Sequence, residues 1–306
     1  MEHSCYAELF GALKSCQNCE ILLNENLQNH STFHIGGPAD VLLLPASIAD
    51  FLQILQTVFA LNIPYKIIGN GSNILFHDAG FRGVMIKTTA FTRVSASGHV
   101  IQAECGASLA KCARYAKEMS LTGFERLFGI PGTVGGALAM NAGAFGTEIA
   151  DLLYSATVFD VKTQEVKKLS REELDFGYRS SAISDREYIL LCAEFALEPG
   201  DSSAILEEMS ICAEKRRRSQ PCNFPSAGSI FKRPPNDYAG RLIEAAGLKG
   251  MRIGDAEVSE KHAGFIVNCG HASAKDVCEL IALVQERVRE TSDVLLACEI
   301  EILAER

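Results

Sequence analysis

A chain of 306 residues, 47% apolar and 22% charged, can bury more than one hydrophobic core and is too apolar to be disordered. Its formal net charge of −9 excludes a general affinity for nucleic acid or anionic membrane, because such binding rests on neutralising phosphates. Its 11 cysteines, an odd number without repeating spacing, suit a reducing compartment better than a disulfide framework.

The N-terminus, Met1-Glu2-His3-Ser4-Cys5, has no basic segment followed by an apolar one, so no secretory leader is expected. Residues 1–28 are read as an N-terminal extension. Within them Cys16-x-x-Cys19 has no second pair or nearby histidine, which favours a structural role over a zinc or redox site. No metal site is expected. The apolar stretch 41–65 is broken by Pro45, Asp50 and Gln53. It reads as a strand at 41–44, a helix from the Ser47 cap to about Ala60, and a strand at 65–68, not as a membrane span.

Gly69-Asn70-Gly71-Ser72-Asn73 follows as a loop that neither helix nor strand would tolerate. Strands are expected at 84–86 and 100–103, then a helix at 108–119 with Leu109, Cys112, Ala113 and Ala116 on one face. A glycine-rich stretch spans Gly129 to Gly146. Strands at 156–161 and 189–195 lead to a turn, Glu198-Pro199-Gly200-Asp201, where a domain boundary is placed. Beyond it come a helix at 203–217, a loop at 221–235, a helix at 238–246 and a strand at 265–267. Ser273 and Asp276 form a capping box that opens a helix, and a strand at 294–303 ends the chain. The class is α+β.

Two glycine-rich loops carry the first chemical signal. In Ile67 to Leu75, two glycines allow positive φ and close backbone approach. The exposed amides that result suit a phosphate, although a tight turn explains the pattern equally well. The loop lacks the Lys-Ser/Thr of a P-loop and does not fit Gly-x-Gly-x-x-Gly. The second loop, Gly129-Ile130-Pro131-Gly132-Thr133-Val134-Gly135-Gly136-Ala137 with Met140-Asn141-Ala142-Gly143-Ala144-Phe145-Gly146, has six glycines and almost no charge. That composition cannot form a long packed helix, and it suits backbone pressed against a large planar, phosphate-bearing ligand better than a buried connection between domains. Lys215-Arg216-Arg217-Arg218 reads either as a solvated helix end or as a local anion site.

These loops, with Asn29-His30-Ser31-Thr32-Phe33-His34-Ile35-Gly36-Gly37-Pro38-Ala39-Asp40 before them, closely resemble the UDP-N-acetylenolpyruvoylglucosamine reductase family. That family lies within the FAD-binding superfamily typified by vanillyl-alcohol oxidase and p-cresol methylhydroxylase. The likeness runs from about residue 29 to the C-terminus and includes Phe176-Gly177-Tyr178-Arg179-Ser180-Ser181, Pro225-Ser226-Ala227-Gly228-Ser229-Ile230-Phe231-Lys232 and Leu295-Leu296-Ala297-Cys298-Glu299-Ile300-Glu301-Ile302. Gly254 to Asn268 also matches. No long insertion occurs near 195–220, as in the shorter of the family's two types.

The resemblance implies a two-lobed FAD-binding domain of the p-cresol methylhydroxylase type at 29–200, followed by a smaller α+β substrate-binding domain at 201–306. It implies FAD held by Gly69, Asn70, Gly71, Ser72, Asn73, Gly132, Thr133, Gly135, Gly136, Asn141, Ala142 and Gly143. It makes NADPH the co-substrate and a UDP-N-acetylglucosamine enolpyruvyl ether the substrate, in the cytoplasm, for peptidoglycan precursors. Arg179 would face the enolpyruvyl carboxylate. Ser229 would donate a proton, with Lys232 beside it, and Glu299 would be the catalytic carboxylate. Tyr178, Lys232 and His262 are candidate substrate contacts, although a lone histidine is as readily structural. Departures from the family pattern are Arg126, Phe128, Arg233 and Gly264. Two rival readings remain, an oxidase of a small alcohol from the same superfamily and a non-catalytic nucleotide-binding module.

Overall fold

The structure, a computed structural model, describes residues 2–14, 16 and 18–303. The chain forms two compact units, each drawn from three stretches. Met1–Leu22, Val41–Asn70 and Gly83–Glu214 make the first, and Leu23–Asp40, Gly71–Arg82 and Lys215–Arg306 the second. The sequence suggested contiguous segments parted at 28 and 200. In the structure the last crossing falls at Glu214/Lys215, inside a helix, and not at the Glu198–Asp201 turn.

The first unit is built on a five-stranded antiparallel sheet. Its strand order is Val166–Ser170, Leu153–Asp160, Tyr188–Ala196, Val100–Glu104, Val94–Ser97. Asp160 turns the first hairpin by accepting the N–H groups of Lys162 at 2.8 Å and Thr163 at 2.9 Å. The expected helices form where their caps allow. Ser47 accepts the Asp50 N–H ahead of Ile48–Ala60, and Ser108 accepts the Lys111 N–H ahead of Leu109–Glu118. The first buries Phe51, Ile54, Leu55 and Val58; the second buries Leu109, Cys112, Ala113 and Ala116. Tyr65–Ile68 pairs in parallel with residues 84–87. The N-terminal extension holds a helix, Glu2–Leu13, with Leu9 and Leu13 buried one turn apart.

The second unit carries a four-stranded antiparallel sheet ordered Ser226–Ser229, Phe265–Asn268, Ala256–Val258, Arg252–Ile253. Its long helix, Ala274–Ser292, has the expected capping box between Ser273 and Asp276. Asp78, from a distant stretch of the same unit, accepts the N–H groups of Ala274 at 2.7 Å and Lys275 at 3.0 Å. That helix end is therefore fully supplied with acceptors. Val277, Leu280, Ile281, Val284 and Val288 form its buried face and share a core with Leu75, Phe33, Leu296 and Ile300. Each such aliphatic contributes about 1.5–3 kcal/mol on burial. Glu301–Leu303 pairs in parallel with Ile74–Phe76. The strand expected at 294–303 is reduced to those three residues. Upstream of them the backbone bonds go to scattered partners and not to a ladder. Leu296 O accepts the Gln285 side chain, and Cys298 makes a lone bridge with Phe231.

Candidate active site

In the first unit the two glycine-rich stretches meet. The Asn70 side chain donates to Pro131 O at 3.1 Å. A Cβ on Gly69 would stand 2.3 Å from Thr133 Oγ1, so glycine lets the first loop lie against the second. Thr133 is buried, and its Oγ1 accepts the Gly136 N–H at 3.3 Å, capping the short helix Val134–Ala139. Gly132 and Ala142 are buried too, Gly135 donates to Cys105 O at 2.7 Å, and Gly136 is exposed. Past Asn70 the loop passes into the second unit, and the N–H groups of Asn70, Gly71 and Ser72 donate to no acceptor among the described residues, although Gly71 is buried. Backbone donors in this condition require a partner, and a phosphate oxygen is a suitable one.

Asn141 is a hub. Its Nδ2 donates to Glu148 Oε2 at 2.7 Å and to Gly177 O at 3.0 Å, and its Oδ1 accepts the Ala150 N–H at 3.3 Å. Both amide hydrogens are therefore used inside the protein, which leaves its backbone as the part able to meet a cofactor. That backbone carbonyl in turn accepts Arg179 Nη1 at 3.3 Å. Arg179 sits in the left-handed region at φ 57°, on a tight turn in which Gly177 and Ser180 bond each other's backbone. Its side chain is 18% exposed. The guanidinium carbon lies 5.0 Å from the centre of the exposed Tyr178 ring, and Nη1 is 3.9 Å from Glu148 Oε1.

Glu148 does not stand out in the sequence. The signal that places it is Phe145-Gly146, both with positive φ, which make a two-residue hairpin turn. The hairpin sets Glu148 opposite Gly143. A Cβ on Gly143 would be 2.9 Å from Glu148 Cγ, so that glycine makes room for the carboxylate's stem.

In the second unit Ser229 and Glu299 lie on adjoining chains. Ser226 pairs with Val267 and Ser229 with Phe265, so that two intervening residues face one. The extra residue is a bulge at Gly228 (φ 79°), and a bulge re-aims the side chain that follows it. Next to it, Glu299 N–H donates to Ile230 O at 2.7 Å, and Lys232 N–H to Ala297 O at 2.8 Å. On its other side the Glu299 carbonyl accepts Asn73 Nδ2 at 3.2 Å. Asn73 thus fixes the Glu299 backbone, and its own carbonyl accepts the Glu301 N–H at 2.9 Å.

His262 packs edge-on against Phe265, and its Nδ1 accepts the Gly264 N–H at 3.1 Å. Burial holds its pKa below the usual histidine value. A Cβ on Gly264 would lie 3.0 Å from His262 Cε1, so Gly264 is the residue that accommodates the ring. Arg233 stacks on Tyr238, 4.0 Å from the ring centre, and donates from Nε to Asp237 O. In the first unit Arg126 pairs with Glu208 at 3.5 Å, and Phe128 lies under Arg114. The basic run closes the helix Ser202–Ser219 and passes into the second unit, where Lys261 Nζ donates to Arg217 O at 2.6 Å. Among the described residues no group of His, Cys, Asp or Glu could hold a metal ion, and no helix is long and apolar enough to cross a membrane. Burial pushes the Cys19 thiol up to about 11, away from the reactive thiolate.

Residues 39–170 match the family model described as FAD binding domain, and residues 220–303 match UDP-N-acetylenolpyruvoylglucosamine reductase, C-terminal domain. The chain is 46% identical over 286 residues to a UDP-N-acetylenolpyruvoylglucosamine reductase of Alkaliphilus oremlandii, covering 93% of this chain and 94% of that one. It is 44% identical to the protein of that name from Streptococcus pneumoniae, over 96% of this chain and 97% of the relative. The crystal structure of UDP-N-acetylenolpyruvylglucosamine reductase from Thermus caldophilus superimposes with a TM-score of 0.78 at 36% identity, over 94% and 99% of the two chains.

Proposed function

Because the chain belongs to the UDP-N-acetylenolpyruvoylglucosamine reductase family, we propose that it reduces UDP-N-acetylenolpyruvoylglucosamine to UDP-N-acetylmuramate with NADPH, in the cytosol, for peptidoglycan precursor synthesis. It is a flavoprotein oxidoreductase. Bound FAD would supply the hydride chemistry that links NADPH to C3 of the enolpyruvyl group. The N–H groups of Asn70, Gly71 and Ser72, which meet no acceptor among the described residues, would suit its phosphates, and Gly136 leaves exposed backbone in the first unit.

The chain's own residues handle charge and protons. Hydride addition at C3 spreads negative charge from C2 into the substrate carboxylate. Arg179, always charged and fork-shaped, is assigned to that carboxylate. Ser229 is assigned the proton for C2. A hydroxyl is a weak acid, so the developing alkoxide needs a cation nearby, and Lys232, three residues on, is the candidate. Glu299 is assigned to stabilising the charged intermediate. Arg233, engaged with Tyr238 and Asp237, is assigned no substrate contact. His262, whose Nδ1 is taken by Gly264, is assigned to the wall of the site.

The observation that carries this reading is the direct bonding of the Ser229 segment to the Glu299 segment, through Glu299 N–H to Ile230 O at 2.7 Å. A proton donor and a carboxylate are thereby held on neighbouring backbones, one of them bulged. A non-catalytic nucleotide-binding module has no use for this arrangement. The test is Ser229→Ala. Reduction of the bound flavin by NADPH should proceed at close to the wild-type rate, while reoxidation by the enolpyruvyl substrate should fall by about 10²–10⁴. Equal loss in both half-reactions would remove the assigned role, and rapid reoxidation by air alone would favour the oxidase reading.

A further inference from the structure

We propose that Glu148 is the positioning residue for Arg179, with Asn141 as the bracket that holds it. The inference rests on the reading of Arg179 as the partner of the substrate carboxylate.

Arg179 carries unusual constraints. A non-glycine residue at φ 57° on a turn closed by Gly177 and Ser180 has its Cα direction fixed by the backbone. Its long side chain retains several rotatable bonds, so the turn alone cannot fix the guanidinium. Two contacts from the hairpin at 141–148 do so. Asn141 O accepts Nη1 at 3.3 Å, and Glu148 Oε1 stands 3.9 Å from the same nitrogen.

Glu148 is itself held in place. Its Oε2 receives the Asn141 amide at 2.7 Å, its stem crosses Gly143 where no side chain would fit, and its backbone N–H donates to Asp151 Oδ2 at 2.8 Å. Asn141 also grips Gly177 O, the first residue of the arginine's turn. One amide thus ties the carboxylate to the turn that bears its partner. An arginine that must meet a carboxylate in a fixed fork geometry gains from such a bracket, because less freedom is lost when substrate arrives.

The carboxylate also competes with the substrate for the same guanidinium. Its removal leaves more positive charge for the substrate carboxylate, so ground-state affinity should hold or rise. The orientation needed as charge develops is lost, and misplacement on the order of 1 Å costs about 10²-fold in rate. A fall in turnover without a rise in KM distinguishes this role from general loosening, which would weaken both.

The experiment uses the FAD-loaded full chain as wild type, Glu148→Gln, Arg179→Met and the double variant. Glu148→Gln keeps the side-chain shape and removes the charge. The expected result is normal FAD content, a reductive half-reaction with NADPH within about twofold of wild type, and reoxidation by substrate slowed about 10- to 100-fold. Substrate affinity by calorimetry should be unchanged or tighter. The double variant should be no slower than Arg179→Met alone, since a positioning residue has nothing left to position. Additive losses, wild-type reoxidation, weaker substrate binding, or loss of FAD in Glu148→Gln would each overturn the proposal. Should Arg179→Met itself reoxidise normally, the reading of Arg179 falls first, and the inference falls with it.

Discussion

Asn73→Ala separates two roles for one side chain. The sequence places Asn73 among the cofactor contacts, whereas its amide is spent on Glu299 O at 3.2 Å. Alanine keeps the backbone bond from Glu301 N–H to Asn73 O and removes only the amide. A hydrogen bond of this kind contributes about 0.5–1.5 kcal/mol net. At about 2–4 °C per kcal/mol for a chain of this size, the melting temperature should drop by roughly 1–6 °C. Glu299 would then be held on one side only, by Ile230. If the carboxylate shifts by on the order of 1 Å, reoxidation by substrate should slow about 10- to 100-fold while FAD content stays normal. Asn73→Asp should be worse in both measures, because a carboxylate cannot donate and would face the Glu299 carbonyl. Calorimetry, flavin absorbance of the purified protein and stopped-flow reoxidation cover the three readouts. An Asn73→Ala protein that purifies without flavin, yet unfolds in its FAD-free form at the wild-type temperature, would refute the reasoning and restore Asn73 to the cofactor.

Gly264→Ser forces the His262 ring aside, since even the Cβ would lie 3.0 Å from Cε1 and 3.1 Å from Nδ1. The expected cost is about 1–3 kcal/mol in urea denaturation, and an unchanged midpoint would show that the ring yields freely. His262 also predicts a pH dependence. Burial lowers its pKa below 6.5, Lys249 lowers it further and Glu244 opposes both. Between the folded value and 6.5 the unfolded chain binds the extra proton, so stability rises with pH across that window. The contribution is complete above 6.5 and is lost as pH falls through the folded value. The urea midpoint of His262→Gln should lack that slope, and parallel curves for variant and wild type would assign the slope to another group.

Local signals in the sequence carried the elements that local chemistry decides. Ser47, Ser108 and Ser273 each stand one residue before a helix, where a hydroxyl can take an unpaired N–H, and all three do. The face of Leu109–Glu118 follows from spacing alone. The interleaving of the two units does not, because it depends on pairings such as Ile74 with Glu301, which no window of the sequence contains. The short final strand has the same cause. Alternation at 295–300 is real, with Leu296 and Ile300 buried, but whether a ladder forms depends on what lies alongside. Glu2–Leu13, in a segment read only as an extension, buries Leu9 and Leu13 in the core that also holds Phe51, Ile54, Leu55 and Val58. At the site, Ser229 and Glu299 were legible only through the family pattern; Asn73 took its bonding role from Glu299, far along the chain, and Asn141 and Glu148 took theirs from each other across a hairpin and from the Gly177–Arg179 turn.

The glycine-rich stretches show how a correct compositional signal can have a divided cause. Glycine was read there as backbone laid bare, for a phosphate or a tight turn in the first stretch and for a planar ligand in the second. At Gly69 the absent side chain makes room for Thr133, and at Gly143 it makes room for Glu148. Those glycines serve protein against protein. Thr133 then caps the helix that begins at Val134, and Glu148 meets Arg179. Fewer groups in these stretches are open than the composition implies: the N–H groups of Asn70, Gly71 and Ser72 meet no acceptor among the described residues, and Gly136 is exposed. Backbone donors of this kind are removed by no side-chain substitution, whereas the side chains that the glycines admit are open to one. The physical consequence is that a bulkier residue at Gly143 acts first on Glu148 and so on the turn that bears Arg179, before it reaches the cofactor at all.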